Sequence, residues 1–319
     1  MSDELDVPGG VVPPGVDVGA AHPARVRNFW LGGRDWFKAD RVAGQAIAAQ
    51  FPHLPDTART ERAFLVRATR FLAGPARIRQ FLDVGSGLPA GGNTHEIAQR
   101  IAGDTGVVYV DNDPCVLAHA KALLDAAHDP AGLGSVGQSG IGIGPAGVGP
   151  LRLGPVSSVD ADLRDVGAVL AGAAGTLDLR QPVALMMLGI LGYLPDYDVA
   201  RSITAQLLAA LPSGSYLAIA DLASTDDSVN RAQLRFDTRG GAGGMGGADW
   251  ATGAGEVSDE DAWPAEAAYS VRRPEEIAGF FEGLDLVEPG VVPCSRWKPD
   301  RAAPDGPEVP VYCGVARKP

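Results

Sequence analysis

From residue 78 onward, short runs rich in β-branched and aliphatic residues alternate with stretches of helical periodicity. We predict strands at residues 78–84, 107–112, 156–161, 183–190 and 215–222. Helices fall between these runs, which is the pattern of a parallel sheet covered on both faces. The fourth run is apolar throughout, as expected of a strand that is buried on both sides. The alternation therefore predicts a doubly wound α/β domain.

The last quarter of the chain departs from this alternation. A predicted helix at 274–284 is followed by two extended runs, at 284–293 and 309–318, with a loop rich in proline and charge between them. We expect these two runs to pair antiparallel at one edge of the sheet. The sequence thus predicts a sheet that is mostly parallel and has an antiparallel C-terminal edge.

Two further segments precede the alternating domain, which we assign to residues 78–319. Residues 1–22 are acidic and rich in Pro and Gly, and they lack the basic start and apolar core of a secretory signal, so we expect a disordered leader. Residues 23–77 contain helical patterns at 39–51 and 57–73. We interpret residues 23–77 as a helical extension that covers a cofactor bound to the sheet.

Two stretches are too rich in glycine for a regular assignment, residues 131–155 and 239–256. Glycine loses more backbone freedom on ordering than any other residue. Long loops without structure of their own are uncommon inside compact domains. We expect both stretches to form flexible surface loops.

Charge and composition narrow the possible partners. A formal net charge of −12 opposes binding to a phosphate backbone, which argues against nucleic acid and favours a small molecule. The longest dense apolar run, residues 184–194, is shorter than the roughly 20 residues that cross a bilayer. Three widely separated cysteines indicate a reducing compartment, and five scattered histidines give no metal-ligand spacing. We therefore expect a cytoplasmic protein with neither a membrane nor a metal partner.

The segment FLDVGSGLPA, residues 81–90, places an apolar strand, an acid and a Gly-x-Gly turn in direct succession. Glycines at 85 and 87 permit positive φ and let a ligand touch the backbone at the carboxyl end of a strand, where open α/β sheets bind ligands. The candidate cofactor ligands are Asp83, Gly85, Ser86 and Gly87. Taken alone, the same turn is equally compatible with a simple passage from strand to helix.

The second strand also ends in an acid. Asp111 follows VVYV and is placed to accept hydrogen bonds from ribose hydroxyls, with Asn112 beside it. The structural alternative is a helix cap before Pro114, a role for which Asp113 is the better placed acid.

Two further candidates stand at the ends of later strands. Asp162 and Leu163 follow the third strand, where an acid and the next amide can contact an adenine edge. Helix capping is again the alternative, and we assign it to Asp165. Leu188, near the end of the fourth strand, completes the set on the sheet.

Glycine spacing discriminates between the two cofactors that this layout can hold. A dinucleotide carries a pyrophosphate, and its fingerprint requires a third glycine where this chain has Ala90. By analogy of fold, an antiparallel C-terminal pair is also more typical of methyltransferases than of nicotinamide dehydrogenases. S-adenosylmethionine is therefore the favoured cofactor. A nicotinamide-dependent oxidoreductase is the less favoured hypothesis.

The segment RNFWLGGRDWF, residues 27–37, contains a glycine turn flanked by aromatic side chains. Such a turn can close over a bound cofactor, with Asn28, Gly32 and Gly33 as candidate contacts and Arg62 as a further one. The aromatic rings can stack on adenine or shield a sulfonium. Packing of the helices onto the sheet is the alternative that we favour for them.

Together these motifs resemble the actinobacterial S-adenosylmethionine-dependent methyltransferase family first catalogued as a domain of unknown function. The matching segments include PARVRNFWLGGRDWFKADR, ERAFLVRATRFL, IRQFLDVGSGLP, NTHEIAQ, VVYVDNDPCVLAHA, VDADLRD and LDLVEPGVVPCSRW. The resemblance implies a Rossmann-like class I methyltransferase fold, with a mostly parallel seven-stranded sheet and an N-terminal helical extension. The chain departs from the family at the glycine-rich residues 131–155, and at Asp221 within IADL, where relatives show a Ser-His pair.

Methyl transfer needs an in-line approach, and correct positioning can supply much of the acceleration without an acid or base. If the acceptor must be deprotonated, His95 and Tyr193 are the candidate bases. The alternative for His95 is a place in a helix start capped by Asn93, and that for Tyr193 is packing at the rim. We expect a methyltransferase for a small-molecule acceptor, or alternatively a catalytically silent, cofactor-binding regulatory protein.

Overall fold

The computed structural model describes residues 12, 16–89, 91–128, 153–224, 233–235, 268–299 and 309–319. Helices lie at Pro23–Trp30 (α1), Lys38–Gln50 (α2), Leu54–Ala73 (α3), Thr94–Ile101 (α4), Pro114–His128 (α5), Val166–Ala174 (α6), Tyr197–Ala209 (α7) and Pro274–Gly279 (α8). Strands lie at Gln80–Val84 (β1), Gly106–Asp111 (β2), Val156–Asp160 (β3), Ala184–Leu188 (β4), Tyr216–Leu222 (β5), Gln233–Arg235 (β6), Ala268–Ser270 (β7), Asp285–Leu286 (β8), Val292–Pro293 (β9) and Val311–Arg317 (β10). Short 3₁₀ turns occur at Leu191–Tyr193 and Cys294–Arg296.

Eight of the described strands form the main sheet, in the order β3-β2-β1-β4-β5-β10-β8, with β9 also paired to β10. Strands β1 to β5 run parallel to one another. Strand β10 is antiparallel to β5, β8 and β9, and the last two pair with opposite ends of it. Since β8 and β9 share one position beside β10, the sheet has seven strand positions. The mostly parallel sheet with an antiparallel C-terminal edge is thus confirmed.

The order of the strands reverses between β1 and β4. From β1 the sheet grows through β2 to β3 on one side, and β4 then starts the other half. Open α/β sheets bind their ligands in the crevice outside the carboxyl ends of the strands at such a switch point. The topology therefore places the expected site above the ends of β1 and β4.

Helices cover both faces of this sheet. On one face, Phe64 and Leu72 of α3 pack in a cluster with Trp297. On the other face, Val169 of α6 and Leu207 of α7 belong to the second large cluster. Every residue of β4 is buried, which confirms a strand covered on both sides.

Three helices precede the sheet, whereas the sequence pattern indicated two. The additional helix, α1, begins at Pro23, and the His22 side chain accepts a hydrogen bond from the Ala24 amide at its start. Helix α3 begins at Leu54 rather than at residue 57, because Pro55 lies in its first turn. Proline is well tolerated there, since its fixed φ suits a helix and its missing N–H has no partner to lose.

The end of the predicted leader packs against α1. Ala21 is 1% exposed, and the Arg25 guanidinium donates to the carbonyls of Ala20 (2.5 Å) and Asp17 (3.2 Å). Parts of the predicted leader and of the two glycine-rich stretches lie outside the described residues. These parts are residues 1–11 and 13–15 of the leader, and residues 131–152 and 239–256 of the glycine-rich stretches. Residues 153–155 have no regular secondary structure and lead directly into β3.

Within the described ranges, no helix has both the length and the apolar character that membrane crossing requires. The dense apolar run at 184–194 instead forms β4 and the 3₁₀ turn that follows it. This agrees with the interpretation of that run as a buried strand.

Candidate functional site

A cavity of about 420 Å³ lies above the carboxyl ends of the parallel strands. Its floor consists of the segments that follow the strands, residues 83–88, 110–112, 161–164 and 188–190. Its roof consists of side chains from α1 and α3. The volume falls within the range of small-molecule sites, and the position is the switch point of the sheet.

The turn after β1 brings the backbone into the cavity. Gly85 and Gly87 have φ values of +71° and +63°, in the left-handed region that favours glycine. A Cβ on Gly85 would lie 2.5 Å from the Ile190 side chain, whereas a Cβ on Gly87 would meet nothing within 4 Å. Glycine at 85 therefore allows close packing of the β1 and β4 ends, and glycine at 87 leaves open space beside the backbone.

Asp111 lines the cavity at the end of β2 and holds the glycine turn in place. Its Oδ2 accepts a hydrogen bond from the Gly87 amide (2.9 Å), and its Oδ1 accepts one from the Asp113 amide (3.0 Å). Burial raises the pKa of Asp111, and these hydrogen bonds oppose the rise. Asp113 caps α5 by accepting from the amides of Cys115 and Val116, as the sequence predicted.

Asp83 is buried at the end of β1 and lines the same cavity. Its Oδ2 accepts a hydrogen bond from the Thr94 hydroxyl (2.7 Å). Burial raises the pKa of Asp83 to about 6. Because Thr94 begins α4, this hydrogen bond fixes the strand end to the helix that follows the glycine turn.

The segment after β3 closes one end of the floor. Asp162 and Leu163 line the cavity together with Asn112, whose Nδ2 lies 3.5 Å from an Asp162 carboxylate oxygen. Asp162 also forms an ion pair with Arg164 (3.0 Å). Asp165 caps α6, as predicted, so capping does not occupy Asp162.

Asn28 of α1 is 2% exposed and contributes to the roof. Its Oδ1 accepts a hydrogen bond from the Asp35 amide (3.0 Å), and its Nδ2 has no hydrogen-bond partner among the described residues. A Cβ on Gly33 would collide with the Asn28 side chain. Gly32 and Gly33 are not among the lining residues. Their turn instead positions Asn28.

The aromatic side chains of this segment are engaged in packing. The Trp30 indole N–H donates to the Gly44 carbonyl (3.0 Å), and that of Trp36 donates to the Gly33 carbonyl (2.9 Å). Phe29 and Trp36 meet edge to face with ring centroids 5.3 Å apart. Trp30 also lines the cavity, so packing does not remove it from the site.

Arg62 of α3 lines the cavity beside the β1 end. Its Nη2 donates to the Asn93 side-chain oxygen (2.9 Å) and to the Gly91 carbonyl (3.3 Å). Burial lowers the pKa of the guanidinium, and the nearby Asp83 opposes that change. Among the remaining candidates on the sheet, Gly85, Ser86 and Leu188 also line the cavity.

His95 is not among the lining residues. Its Nδ1 lies 2.7 Å from the Tyr109 hydroxyl oxygen, which also accepts a hydrogen bond from the His95 amide (3.0 Å). Burial lowers the pKa of this imidazole. The structure thus places His95 in the start of α4, the location given by its structural alternative.

Tyr193, the other candidate base, lines the cavity in the 3₁₀ turn after β4. Its ring meets Tyr269 of β7 edge to face, with centroids 4.9 Å apart. Burial raises the pKa of the Tyr193 hydroxyl. It therefore stays protonated near neutral pH, where it can donate a hydrogen bond.

The roof also contains an ion pair that sequence reasoning missed. Arg27 of α1 donates to both carboxylate oxygens of Glu61 in α3, at 2.6 and 3.2 Å, and both residues line the cavity. The available signal was position, since Glu61 precedes Phe64, Leu65 and Ala68 by three, four and seven residues. That spacing puts a charge on the apolar face of an amphipathic helix.

Asp221, the position where the chain departs from the resembled family, is fully buried at the end of β5. Its two carboxylate oxygens accept hydrogen bonds from the amides of Gly192 (3.1 Å) and Leu222 (2.9 Å). Burial raises the pKa of Asp221 to about 7. Asp221 is not a lining residue and instead fixes the turn that carries Tyr193.

A sheet that reverses its order between β1 and β4, an antiparallel β10 and a cavity over the reversal define the class, a Rossmann-like α/β protein of class I methyltransferase architecture. The profile of the S-adenosyl methyltransferase family matches residues 11–136, 152–243 and 252–319. This chain belongs to that family. Its cofactor is S-adenosylmethionine, and it is a methyltransferase.

Two solved structures share both sequence and fold with the chain. A DUF574 family protein from Streptomyces avermitilis MA-4680 is 35% identical, with 95% of this chain and 99% of that chain covered and a TM-score of 0.71. A proposed methyltransferase from Thermobifida fusca YX is 33% identical, with 96% and 97% covered and a TM-score of 0.70. No curated protein matches the chain.

Proposed function

We propose that the cavity holds S-adenosylmethionine along the strand ends and that the protein methylates a small-molecule acceptor there. One observation carries the proposal, the convergence of the Gly85–Gly87 turn, Asp111 and the unpartnered Asn28 Nδ2 on one cavity at the switch point. They offer an open backbone, a carboxylate and a buried donor. The open backbone leaves room for the body of the cofactor, the carboxylate can accept from its ribose hydroxyls, and the buried donor can bind its carboxylate.

The remaining contacts follow from the order of the strands. Asp111 and Asn112 lie at the β2 end and are assigned to the ribose, while Asp162 and Leu163 lie at the β3 end and are assigned to adenine. The methionine part then lies near Asp83, Arg62 and Leu188. When bound, the cofactor supplies an electrophilic methyl group, and the residues of this chain orient both reactants and exclude water.

Calorimetric titration with S-adenosylhomocysteine tests the cofactor site directly. We expect a Kd on the order of micromolar, which corresponds to about −8 kcal/mol. Absence of binding to folded protein would overturn the proposal. A tight complex that transfers no methyl group to a broad panel of acceptors would support the silent regulatory alternative, and enhanced NADH fluorescence would support the oxidoreductase.

The unpartnered amide of Asn28 allows a sharper test. We expect Asn28→Ala to weaken binding of S-adenosylhomocysteine about tenfold, the effect of one lost hydrogen bond to a charged group. Thr69→Ala is the matched control, because Thr69 Oγ1 is also buried without a hydrogen-bond partner in the described structure and does not line the cavity. Equal affinities in the two variants would remove Asn28 from the cofactor site.

We also propose that the acceptor is small rather than a nucleic acid and that the protein acts in the cytoplasm. The supporting observations are the net charge of −12 and the position of the cavity beneath α1 and α3. A gel-shift titration with duplex DNA and tRNA is expected to show no retarded complex. Cell fractionation tests the location.

A further inference from the structure

Beyond the cofactor contacts, the cavity continues above the ends of β4 and β5, where the Arg27–Glu61 ion pair lies. The Glu61 side chain is 5% exposed and that of Arg27 is 34% exposed. The carboxylate is therefore enclosed, while the guanidinium reaches partly toward solvent. A buried ion pair by itself adds little stability, because desolvation offsets the attraction, so its presence in a cavity wall calls for another explanation.

The position of Glu61 is set by the residue that follows β4. A Cβ on Gly189 would lie 2.8 and 3.0 Å from the two carboxylate oxygens of Glu61, so this carboxylate sits directly over the β4 end. Strand β4 lies between β1 and β5. The contacts assigned to ribose and adenine lie on the other side of β1, at the ends of β2 and β3. The contacts assigned to the methionine part reach the β4 end at Leu188. Glu61 lies over the next residue, so its carboxylate faces the space between the methionine part and the end of β5.

The walls around this space are mostly apolar. The lining residues are Leu54, Ile190, Tyr193, Leu194, Leu222 and Tyr269. The edge-to-face packing of Tyr193 on Tyr269 gives this wall two aromatic rings. A flat apolar body would bury its surface here, and the Glu61 carboxylate would be within the same space.

We propose that this part of the cavity, the acceptor subsite, binds a neutral and largely apolar or aromatic molecule whose nucleophilic N–H or O–H donates to Glu61. The inference rests on the proposed function. Arg27 balances the charge of Glu61, so a neutral acceptor leaves no unpaired charge in the enclosed space, whereas a charged one would. As the acceptor heteroatom forms its bond to the methyl carbon, its proton passes to a Glu61 Oε, and the electron pair of the broken bond stays on sulfur.

Other titratable groups nearby are less suited to this role. The Tyr193 hydroxyl has its pKa raised by burial and stays protonated. Asp221 is fully buried and does not line the cavity. Burial raises the pKa of Glu61, and Arg27 and Arg62 oppose the rise. A raised pKa makes a carboxylate a better proton acceptor.

The test uses the protein loaded with S-adenosylhomocysteine and probes that differ only in the donor group. We expect 2-naphthol or 2-naphthylamine to bind about tenfold more tightly than naphthalene, the effect of one hydrogen bond to a charged acceptor. The two probes distinguish a hydroxyl from an amine acceptor. In Glu61→Gln this preference should diminish, because a neutral amide oxygen accepts a hydrogen bond less strongly than a carboxylate does, while affinity for S-adenosylhomocysteine stays within about threefold.

Asp40→Asn is the matched control. Asp40 is a buried acid that pairs with Arg25 in the same helical extension, at 3.1 Å, and it does not line the cavity. This variant should keep the preference for the donor probes. Acidification of the wild-type protein provides a second measurement, because protonation of Glu61 should remove the preference and leave naphthalene binding unchanged.

The outcomes separate the two proposals. Failure of S-adenosylhomocysteine to bind would overturn the proposed function. If S-adenosylhomocysteine binds normally, three results would overturn the acceptor subsite alone. These are equal affinities for naphthalene and the donor probes, an undiminished preference in Glu61→Gln, and no binding of any naphthyl probe at millimolar concentration.

Discussion

The floor and the roof of the cavity are built in different ways. The floor consists of segments at the ends of β1, β2, β3 and β4, and its hydrogen bonds are largely those of carboxylates to backbone amides. The roof is held by pairs of charged or polar side chains from segments far apart in the chain. These pairs are Arg27–Glu61, His22–Asp113 and His119–Asp35.

The difference predicts two kinds of response to substitution. A floor carboxylate that faces the cavity contributes to ligand affinity. In the roof, the Glu61 carboxylate is enclosed, so removal of its partner Arg27 leaves an uncompensated charge. Floor substitutions should therefore lower cofactor affinity, and roof substitutions should first lower stability in a pH-dependent manner.

The largest expected effect is on the roof. Arg27→Met leaves the Glu61 carboxylate buried without its ion-pair partner and should cost about 3 kcal/mol of unfolding free energy at neutral pH. In this variant the folded-state pKa of Glu61 lies above its unfolded value, so stability is lost as pH rises and regained on acidification. Urea denaturation at several pH values measures both effects.

The double variant Arg27→Met/Glu61→Gln is the control, because it removes the charge that Arg27→Met exposes. Most of the lost stability should return in the double variant, with no dependence on pH. An equally destabilised double variant would show that Arg27 acts through packing alone.

A smaller effect, on affinity, is expected in the floor. Asp111→Ala should weaken binding of S-adenosylhomocysteine about 100-fold, equivalent to about 2.7 kcal/mol. Asp160→Ala is the matched control, since Asp160 of β3 is the register partner of Asp111, is exposed and does not line the cavity. Similar calorimetric affinities in the two variants would remove the ribose assignment.

The floor was visible in the sequence because its signals are local. The acid and glycines of Asp83–Gly87 and the acid at Asp111 directly follow apolar runs, and a strand end fixes where such residues lie. The mostly parallel character of the sheet followed from the same alternation. Asp113 and Asp165 were separated from the candidate ligands by their distance from the strand ends.

The roof could not be derived in this way. Glu61 meets Arg27 across 34 residues, and that contact depends on how α1 lies on α3. The glycine turn at Gly32–Gly33 showed that the chain bends there, but not that Asn28 rather than the turn itself lines the cavity. Pairings between separate helices depend on tertiary packing, which no local pattern encodes.

Asp221, buried at the end of β5, gives the next smaller effect. Its pKa is raised by burial to about 7, so the folded state binds more protons than the unfolded state between about pH 4 and pH 7. Wild-type stability contributed by this group therefore falls as pH rises through that window. The free energy of unfolding of Asp221→Asn minus that of the wild type should be about 2 kcal/mol higher at pH 8 than at pH 5. Denaturation curves of the variant and the wild type at both pH values measure this change. The same difference in unfolding free energy at pH 5 and pH 8 would contradict the prediction.

The smallest expected effect comes from His119, which joins α5 to the turn after α1. Its Nε2 lies 3.0 Å from an Asp35 carboxylate oxygen, and this hydrogen bond is the main cause of a pKa raised to about 10. The Asp35 amide also supports Asn28. Since the folded-state pKa lies above the unfolded value, the stabilisation is present below about pH 6.5 and is lost as pH rises toward 10.

Asp35→Asn should therefore cost about 1 kcal/mol at pH 6, a value kept low because both side chains are partly exposed. The cost should vanish above pH 10, where His119 is neutral in the wild type as well. Asp56→Asn is the control, because Asp56 pairs with Arg59 on the exposed face of α3 and that pair contains no histidine. If Asp35→Asn lowers stability equally at both pH values, the roof is held here by packing rather than by charge, and the contrast between roof and floor then rests on the Arg27–Glu61 pair.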